Sequence, residues 1–303
     1  MAHYRRKRRK AMRLRQKGLN FRADLHMHTT RSDGIHDPED VLEACGAGKL
    51  DLVAITDHDI GPEIAPGWHC RADHRFYLVH GAEISGMHAG KEYHLLVYFP
   101  DVIPTAFRQL LAELCAARVA RYDHAIEALR TQLSTRVEEQ HLHSTLSFAD
   151  ADARRGKRSL TRTHLARGLL RCGVVRNFDE AFSQFLRNPD IVPPLSFDFC
   201  EAIVAAKAAG AFTSWAHPPI EAAQKYTPLF SRSGLDALEV IRPRASSKAR
   251  KRLRQLAQAN RLQVTGGSDS HGYGKPLGQF ACLGVELKWI SQLGLEPKMF
   301  AQS

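Results

Sequence analysis

The stretch Leu52-Val53-Ala54-Ile55-Thr56-Asp57-His58-Asp59 joins a run fit for a buried strand to three consecutive ionisable residues. A strand covered on both faces reads as a short continuous apolar run rather than as an alternation. Ionisable residues at its C-terminal end are the mark of an α/β barrel, where those ends converge on the site. The same switch recurs along the chain. Glu83 follows Leu78-Val79-His80-Gly81-Ala82, and His217 follows Phe212-Thr213-Ser214-Trp215-Ala216. Asp269 and His271 follow Val264-Thr265-Gly266-Gly267-Ser268. Helix-like segments alternate with the strand candidates, so the expected fold class is α/β, a parallel barrel-like sheet covered by crossover helices.

Seven strands are expected, over residues 22–28, 52–56, 77–84, 93–99, 211–216, 237–241 and 262–265. Between the fourth and fifth, Phe107, Leu110, Leu111, Leu114, Ile126 and Leu129 recur at helical spacing. Asn188-Pro189-Asp190 and Pro193-Pro194 interrupt that pattern, because a residue before proline is pushed out of helix. The expected division is a barrel over residues 21–103 and 200–303, a helical insertion over 104–199 and a basic tail over 1–20.

The 303 residues carry a net charge of +11, yet residues 1–22 hold ten Lys or Arg and no acid, which leaves +1 for the rest. Arg5-Arg6-Lys7-Arg8-Arg9-Lys10 with Arg13, Arg15 and Lys17 therefore reads as a tail on a nearly neutral body. Such a block is either a solvated, disordered arm or one that attracts RNA or another polyanion. No run approaches the length of a bilayer span, and no apolar secretory signal opens the chain. The six cysteines, at positions 45, 70, 115, 172, 200 and 282, form no CxxC pair and read as reduced thiols. A cytoplasmic protein without a membrane partner or an obligate protein partner is expected.

In Asp24-Leu25-His26-Met27-His28 the two imidazoles are two residues apart, so on a strand both reach one ion. Asp33 follows in Ser32-Asp33-Gly34, where glycine permits a tight turn back toward the same mouth. His94 belongs to the fourth strand but lies near its start. Taken singly, each residue reads as a satisfied core histidine or a cap aspartate. Together, nine His, Asp and Glu at strand ends need pairing or a metal, and nitrogen and carboxylate ligands without cysteine suit Mn, Fe or Zn.

The string His26-Met27-His28-Thr29-Thr30-Arg31-Ser32-Asp33-Gly34, with Ile55-Thr56-Asp57-His58-Asp59, Gly81-Ala82-Glu83-Ile84-Ser85, Ala216-His217-Pro218 and Gly267-Ser268-Asp269-Ser270-His271-Gly272, resembles the signature of the polymerase and histidinol phosphatase (PHP) family. The resemblance implies a distorted (β/α)7 barrel and three divalent ions, Mn2+ being favoured over Fe2+ or Zn2+. By the same resemblance, His26, His28, Glu83 and Asp269 would hold one ion. His94 and His217 would hold a second, sharing Glu83, and Asp33, His58 and His271 a third. A hydroxide bridging the ions would be the nucleophile, and His217 is a candidate acid.

Tyr93-His94-Leu95-Leu96 and Arg162-Thr163-His164-Leu165-Ala166 are similar to a bacterial branch that cleaves nucleoside 3′,5′-bisphosphates or trims short RNA from the 5′ end. This implies a nucleotide or short-RNA substrate with Arg162 and His164 toward its phosphates, the alternative being that they only open an exposed helix; Arg242 is a separate candidate for a second phosphate. Pro194-Leu195-Ser196-Phe197 lacks a lysine expected there, and Ile241-Arg242-Pro243-Arg244 replaces a more aromatic segment. The alternatives are a histidinol-phosphate-type phosphatase and a non-catalytic metal-binding regulatory module. His69, His74, His80, His88, His124, His141 and His143 fit no motif and read as ordinary surface or core residues. Arg118 and Arg121, on the long helix, either face the site or form a solvated helix face.

Overall fold

The computed structural model describes residues 22–133, 155–243, 245–272, 282–283 and 287–295. The basic run of residues 5–17, His141 and His143 lie outside them. In chain order the elements are β1 (Arg22–Asp24), α1 (Pro38–Ala47), β2 (Leu52–Ile55), β3 (Gly67–Arg71), β4 (His74–His88), β5 (Lys91–Phe99), α2 (Thr105–Leu133) and α3 (Arg162–Arg171). There follow α4 (Phe178–Ala181) with a π-helical turn (Phe182–Leu186), α5 (Phe199–Ala208), β6 (Phe212–Trp215), α6 (Ile220–Arg232), β7 (Ala237–Ile241), α7 (Ser247–Ala259) and β8 (Gln263–Gly266). The short β9 (Cys282–Leu283) and a 3-10 helix (Leu287–Leu293) come last.

All seven expected strands are present in one sheet of order β8-β7-β6-β5-β4-β2-β1-β9, with β3 paired on β4. The sheet is not all parallel, which corrects the expectation. β1–β2, β2–β4, β6–β7 and β7–β8 are parallel, but β5 runs antiparallel to both neighbours. The cause is the two-residue turn at Ala89 and Gly90, with φ of 49° and 73°. A turn that short can join only antiparallel strands. Ala72 and Asp73, also at positive φ, turn β3 into β4 the same way.

The two ends of the parallel system meet. Beyond Asp24 the chain leaves regular strand, and Met27 bridges Ser270 in parallel. Asp269 N donates to His26 O at 2.8 Å and His28 N to Ser270 O at 2.9 Å. Gly267 permits this approach, since a Cβ there would stand 2.2 Å from His26 Cβ.

Buried side chains form several clusters. Ala23, Leu25, Ala54, Leu96, Tyr98 and Phe212 pack together with Ile290 and Leu293 of the 3-10 helix and with Leu295 just after it, and the buried Tyr98 hydroxyl donates to Leu25 O at 2.8 Å. A second cluster unites the sheet with the helices around it, including Phe107 and Leu111 of α2. The later part of α2, through Tyr122, Ala125 and Leu129, packs instead with Leu165, Leu169 and Phe185 in a separate core. The long helix therefore ties the helical segment to the sheet.

Helix α3 begins at a capping box. The Thr161 hydroxyl accepts from Thr163 N at 3.1 Å, and His164 Nδ1 accepts from Thr161 N at 3.1 Å. Burial disfavours the imidazolium, and despite the nearby Asp33 carboxylate it pushes the His164 pKa down to about 4.

Two expectations follow from these contacts. Gly267→Ala should cost about 2–3 kcal/mol in urea unfolding, because the clash is with backbone and Cβ atoms that cannot rotate away. His164 titrates near 4 folded and near 6.5 unfolded, so the unfolded chain takes up the extra proton; its contribution is fully present above about pH 6.5 and is lost as pH falls toward 4. His164→Gln keeps the capping box without the titration, and should recover about 1–2 kcal/mol of the stability the parent loses between pH 7 and 4.5, read from paired denaturation curves.

Candidate metal centre

His26 and His28 follow β1, His58 follows β2, His217 follows β6, and Asp269 and His271 follow β8, all at C-terminal strand ends. Asp33 comes from the loop after β1, and Glu83 lies within β4, bridged to His58. His94, early in β5, joins them because β5 runs the other way: Ser85 of β4 pairs with His94. All nine residues fall in overlapping clusters: His28, Asp33, His58 and His271; His26, Glu83 and His217; His26, His28 and Asp269; His58, Glu83 and His94. Three non-glycine residues at this rim, Asp59, His217 and Asp269, hold positive φ of 50°, 30° and 52°, a conformation that persists only where surroundings enforce it.

Glu83 Oε2 lies 3.3 Å from both His26 Nε2 and His28 Nε2 and 3.1 Å from His58 Nδ1. Asp269 Oδ1 lies 3.5 and 3.3 Å from the same His26 and His28 nitrogens. The other Glu83 oxygen is 3.1 Å from His94 Nδ1 and from His217 Nε2. Asp33 Oδ1 is 3.1 Å from His271 Nε2 and 3.9 Å from His58 Nε2.

His26 Nε2, His28 Nε2, His58 Nδ1, His94 Nδ1 and Glu83 Oε2 are nevertheless buried without a hydrogen-bond partner. They are close but not aligned toward one another. Two ligands about 2.1 Å from a shared tetrahedral ion stand about 3.4 Å apart. The donor set, its spacing and its unsatisfied atoms thus fit divalent cations.

Burial would raise the Glu83 pKa, yet His26, His58 and His94 hold it well below the usual carboxylate range. Burial disfavours a charged His28 and a charged His94, but Asp269 and Glu83 pull His28 up to about 10, and Glu83 and Glu92 pull His94 up to about 9. His58 goes the other way, pushed well down by burial. The carboxylates demand positive charge, which metal ions would supply.

The ligand candidates are themselves held. His26 Nδ1 lies 3.0 Å from Glu239 Oε1, and Glu239 Oε2 accepts from His217 N at 2.7 Å. Asp57 accepts from Thr29 N, Thr29 Oγ1 and Ser32 Oγ at 2.8, 2.7 and 2.6 Å, fixing the loop that carries Asp33. Asp24, raised to about 6 by burial, accepts from Ser268 N at 2.8 Å. Sequence reasoning missed Glu239, although a lone acid within Ala237-Leu238-Glu239-Val240-Ile241 was a readable signal.

A 230 Å³ cavity opens on the cluster, lined also by Glu92, Arg118, Thr161, Arg162, Thr163 and Phe182. A larger 610 Å³ cavity lies between α2 and Ile60, Gly61 and Pro62, and no His, Asp or Glu lines it. Arg162 enters the smaller cavity and lies 3.3 Å from Glu92 Oε1. His164 and Arg242 do not line it. Arg118 is not on a solvated face: it is buried, with Nη1 donating to Leu160 O and Nη2 to Ser85 Oγ, and Nε on Asp59. Arg121 is also tied down, donating to Glu92 Oε2 at 3.0 Å. Of the remaining histidines, His69, His74, His80 and His124 bond backbone carbonyls, and His88 packs on Tyr226 and Phe230.

Because one carboxylate orients two candidate ligands, Glu239→Gln should weaken Mn2+ binding by about 10–100-fold in a calorimetric titration. Unchanged affinity would remove Glu239 from this role.

No family model matches the chain. The 5′-3′ exoribonuclease Rnm of Escherichia coli is 28% identical over 257 residues, covering 82% of this chain and 84% of that protein. The 3′,5′-nucleoside bisphosphate phosphatase of Chromobacterium violaceum is 25% identical over 201 residues, covering 64% and 66%. Among solved structures, one from Bifidobacterium adolescentis assigned as a metal-dependent phosphoesterase superposes with a TM-score of 0.64 at 25% identity, covering 84% of this chain and 89% of that one. The chain is thus similar in sequence to hydrolases named for RNA and nucleotides, and in fold to a metal-dependent phosphoesterase, and its sheet carries a clustered ligand set.

Proposed function

We propose that the chain hydrolyses phosphate esters of nucleotides or short RNA, as a 3′,5′-bisphosphate phosphatase or a 5′-3′ exoribonuclease. The observation that carries this reading is the set of five buried, unsatisfied donor atoms converging beside a cavity that also admits an arginine. The E. coli and C. violaceum relatives, with nucleic-acid and nucleotide substrates in their names, support the substrate class.

On this reading His26, His28, Glu83 and Asp269 hold one cation, Glu83, His94 and His217 a second, and Asp33, His58 and His271 a third, with Mn2+ the preferred ion. Bound ions would supply Lewis acidity, acidifying water and neutralising charge on the phosphoryl oxygens. The chain's own groups do the rest. Glu83 offers one oxygen to each of two sites, which fixes their spacing. On the same reading His217, whose Nε2 lies 3.1 Å from Glu83 Oε1, serves as a ligand, with protonation of the leaving group the other role open to it.

Arg162 and the N-terminal end of α3 line the cavity, so a guanidinium fork and a helix terminus face the same space, a pairing suited to a second phosphate. Glu92 holds that guanidinium and its neighbour Arg121 in place. Burial would raise the Glu92 pKa, but the His94 hydrogen bond and the arginine charges keep it well below the usual range. Phe182 presents an aromatic surface on the same wall. Cys45, Cys70, Cys115, Cys172 and Cys200 are free thiols, which supports a cytoplasmic setting.

The test is phosphate release with Mn2+ from adenosine 3′,5′-bisphosphate, short 5′-phosphorylated RNA and histidinol phosphate. Turnover on the first or second should fall by about two orders of magnitude or more in Asp269→Asn. Turnover on histidinol phosphate alone would reassign the substrate, and silence of the parent on all three would overturn the reading.

A further inference from the structure

With the basic tail set aside, residues 23–303 carry +1, and that small number conceals a strong separation. Residues 242–261 contain eight Lys or Arg and no Asp or Glu, so the remainder of residues 23–303 carries −7. The eight are Arg242, Arg244, Lys248, Arg250, Lys251, Arg252, Arg254 and Arg261, five of them within α7.

The fold places this block beside the metal centre. β7 ends at Ile241 between β6 and β8, the strands that lead into His217 and Asp269. Gly267 N, two residues before Asp269, donates to Ile241 O at 3.0 Å. The basic segment therefore leaves the sheet at the rim of the site. Helix α7 starts there, capped by Ser246 Oγ accepting from Ala249 N, and buries Leu253 and Ala257.

Lys248, Lys251, Arg252 and Arg254 face solvent. Among the described residues no acidic side chain forms an ion pair with Lys248, Arg250, Lys251 or Arg252. The cations sit in the first two turns, nearest the rim, while Gln255 and Gln258 follow further away. The helix is about 20 Å long, and its positive N-terminal end adds to the same field.

We propose that α7 is a track for the sugar-phosphate backbone of a single-stranded RNA whose 5′ end occupies the metal centre. This rests on the phosphoesterase reading and deepens it, by selecting strands over mononucleotides. Two features favour a strand as occupant. The charge of this block begins at the rim, outside the cavity that Arg162 lines and that would hold a mononucleotide entirely. It also continues outward along one exposed face, as a chain of phosphates does. Attraction of this kind acts on backbone phosphates, reads no base and weakens steeply with salt.

The test uses the full chain with Mn2+ and the variant Lys248→Glu/Lys251→Glu, two exposed positions away from the metal ligands. The tail is present in both proteins and contributes equally. KM for a 5′-phosphorylated RNA of about 12 nucleotides should rise about tenfold or more with kcat unchanged. The slope of log KM against log salt should flatten by about 1.4, some 0.7 for each lost cation. Kinetics on adenosine 3′,5′-bisphosphate should stay within about twofold, since that substrate does not reach α7. Unchanged KM and slope on the RNA would overturn the track, and so would an equal loss on both substrates. If the parent hydrolyses neither, the phosphoesterase reading has failed instead. Fluorescence anisotropy of the labelled RNA then tests the surface alone, with weaker binding by the variant supporting it and equal binding overturning it.

Discussion

A fully buried carboxylate surrounded by imidazoles is the constraint from which the rest of this structure can be understood. Glu83 is inaccessible to solvent, and its two oxygens face His26, His28 and His58 on one side and His94 and His217 on the other. Burying an ionised carboxylate costs several kcal/mol unless charge and bonds compensate it. Here the compensation must come from four other places in the sequence, and each must arrive at the correct height. A sheet whose strand ends converge is the economical way to deliver them. The antiparallel β5 belongs to the same requirement, because only a strand running backward from a tight turn sets His94 across from the end of β4.

The joining of β1's continuation to that of β8 follows from the same demand. His26 and His28 must face Asp269 across a backbone-to-backbone approach, and Gly267 leaves room for it. The left-handed conformations at Asp59, His217 and Asp269 lie at this rim, where each turns a polar side chain just as a strand ends. Glu239 and Asp57 bear the next layer, fixing rings and loop by hydrogen bonds. The rim thus concentrates strain and charge, while the side chains packed with the 3-10 segment are apolar.

Much of this was legible in the sequence, for identifiable physical reasons. An apolar strand that turns ionisable at its end cannot hide the change, so Asp57-His58-Asp59, Glu83, His217 and Asp269 announced themselves. His94 did not explain itself, because its place near a strand's start makes sense only once β5 is known to run backward. The turn responsible is Ala89-Gly90, which lacks the Asn or Asp that usually marks such hairpins. Glu239 was overlooked as one acid inside an apolar strand, and Arg118 stayed open between the site and a solvated face because helical periodicity cannot tell an exposed face from one buried against Asp59 and Ser85. His164 was legible as the start of a helix, but the use of its Nδ1 to close the cap on Thr161 N was not.

Charge separation bears on the order of binding events. The cavity wall includes Asp33, Glu83, Glu92 and Asp269, and the first two are buried where water screens them poorly. Such a pocket repels a phosphate until cations occupy the ligand set, so on the proposed reading metal loading must precede substrate. Three divalent cations outweigh the four wall carboxylates, so a filled site attracts phosphate within the cavity, and attraction over a longer distance is added by positive charge outside it. Residues 242–261 hold that positive charge at the rim, where it can draw in a polyanion without competing with the cations for carboxylates. A uniformly basic surface would give attraction without direction. A block that starts beside His217 and Asp269 and runs outward along one helix gives the approaching strand an orientation.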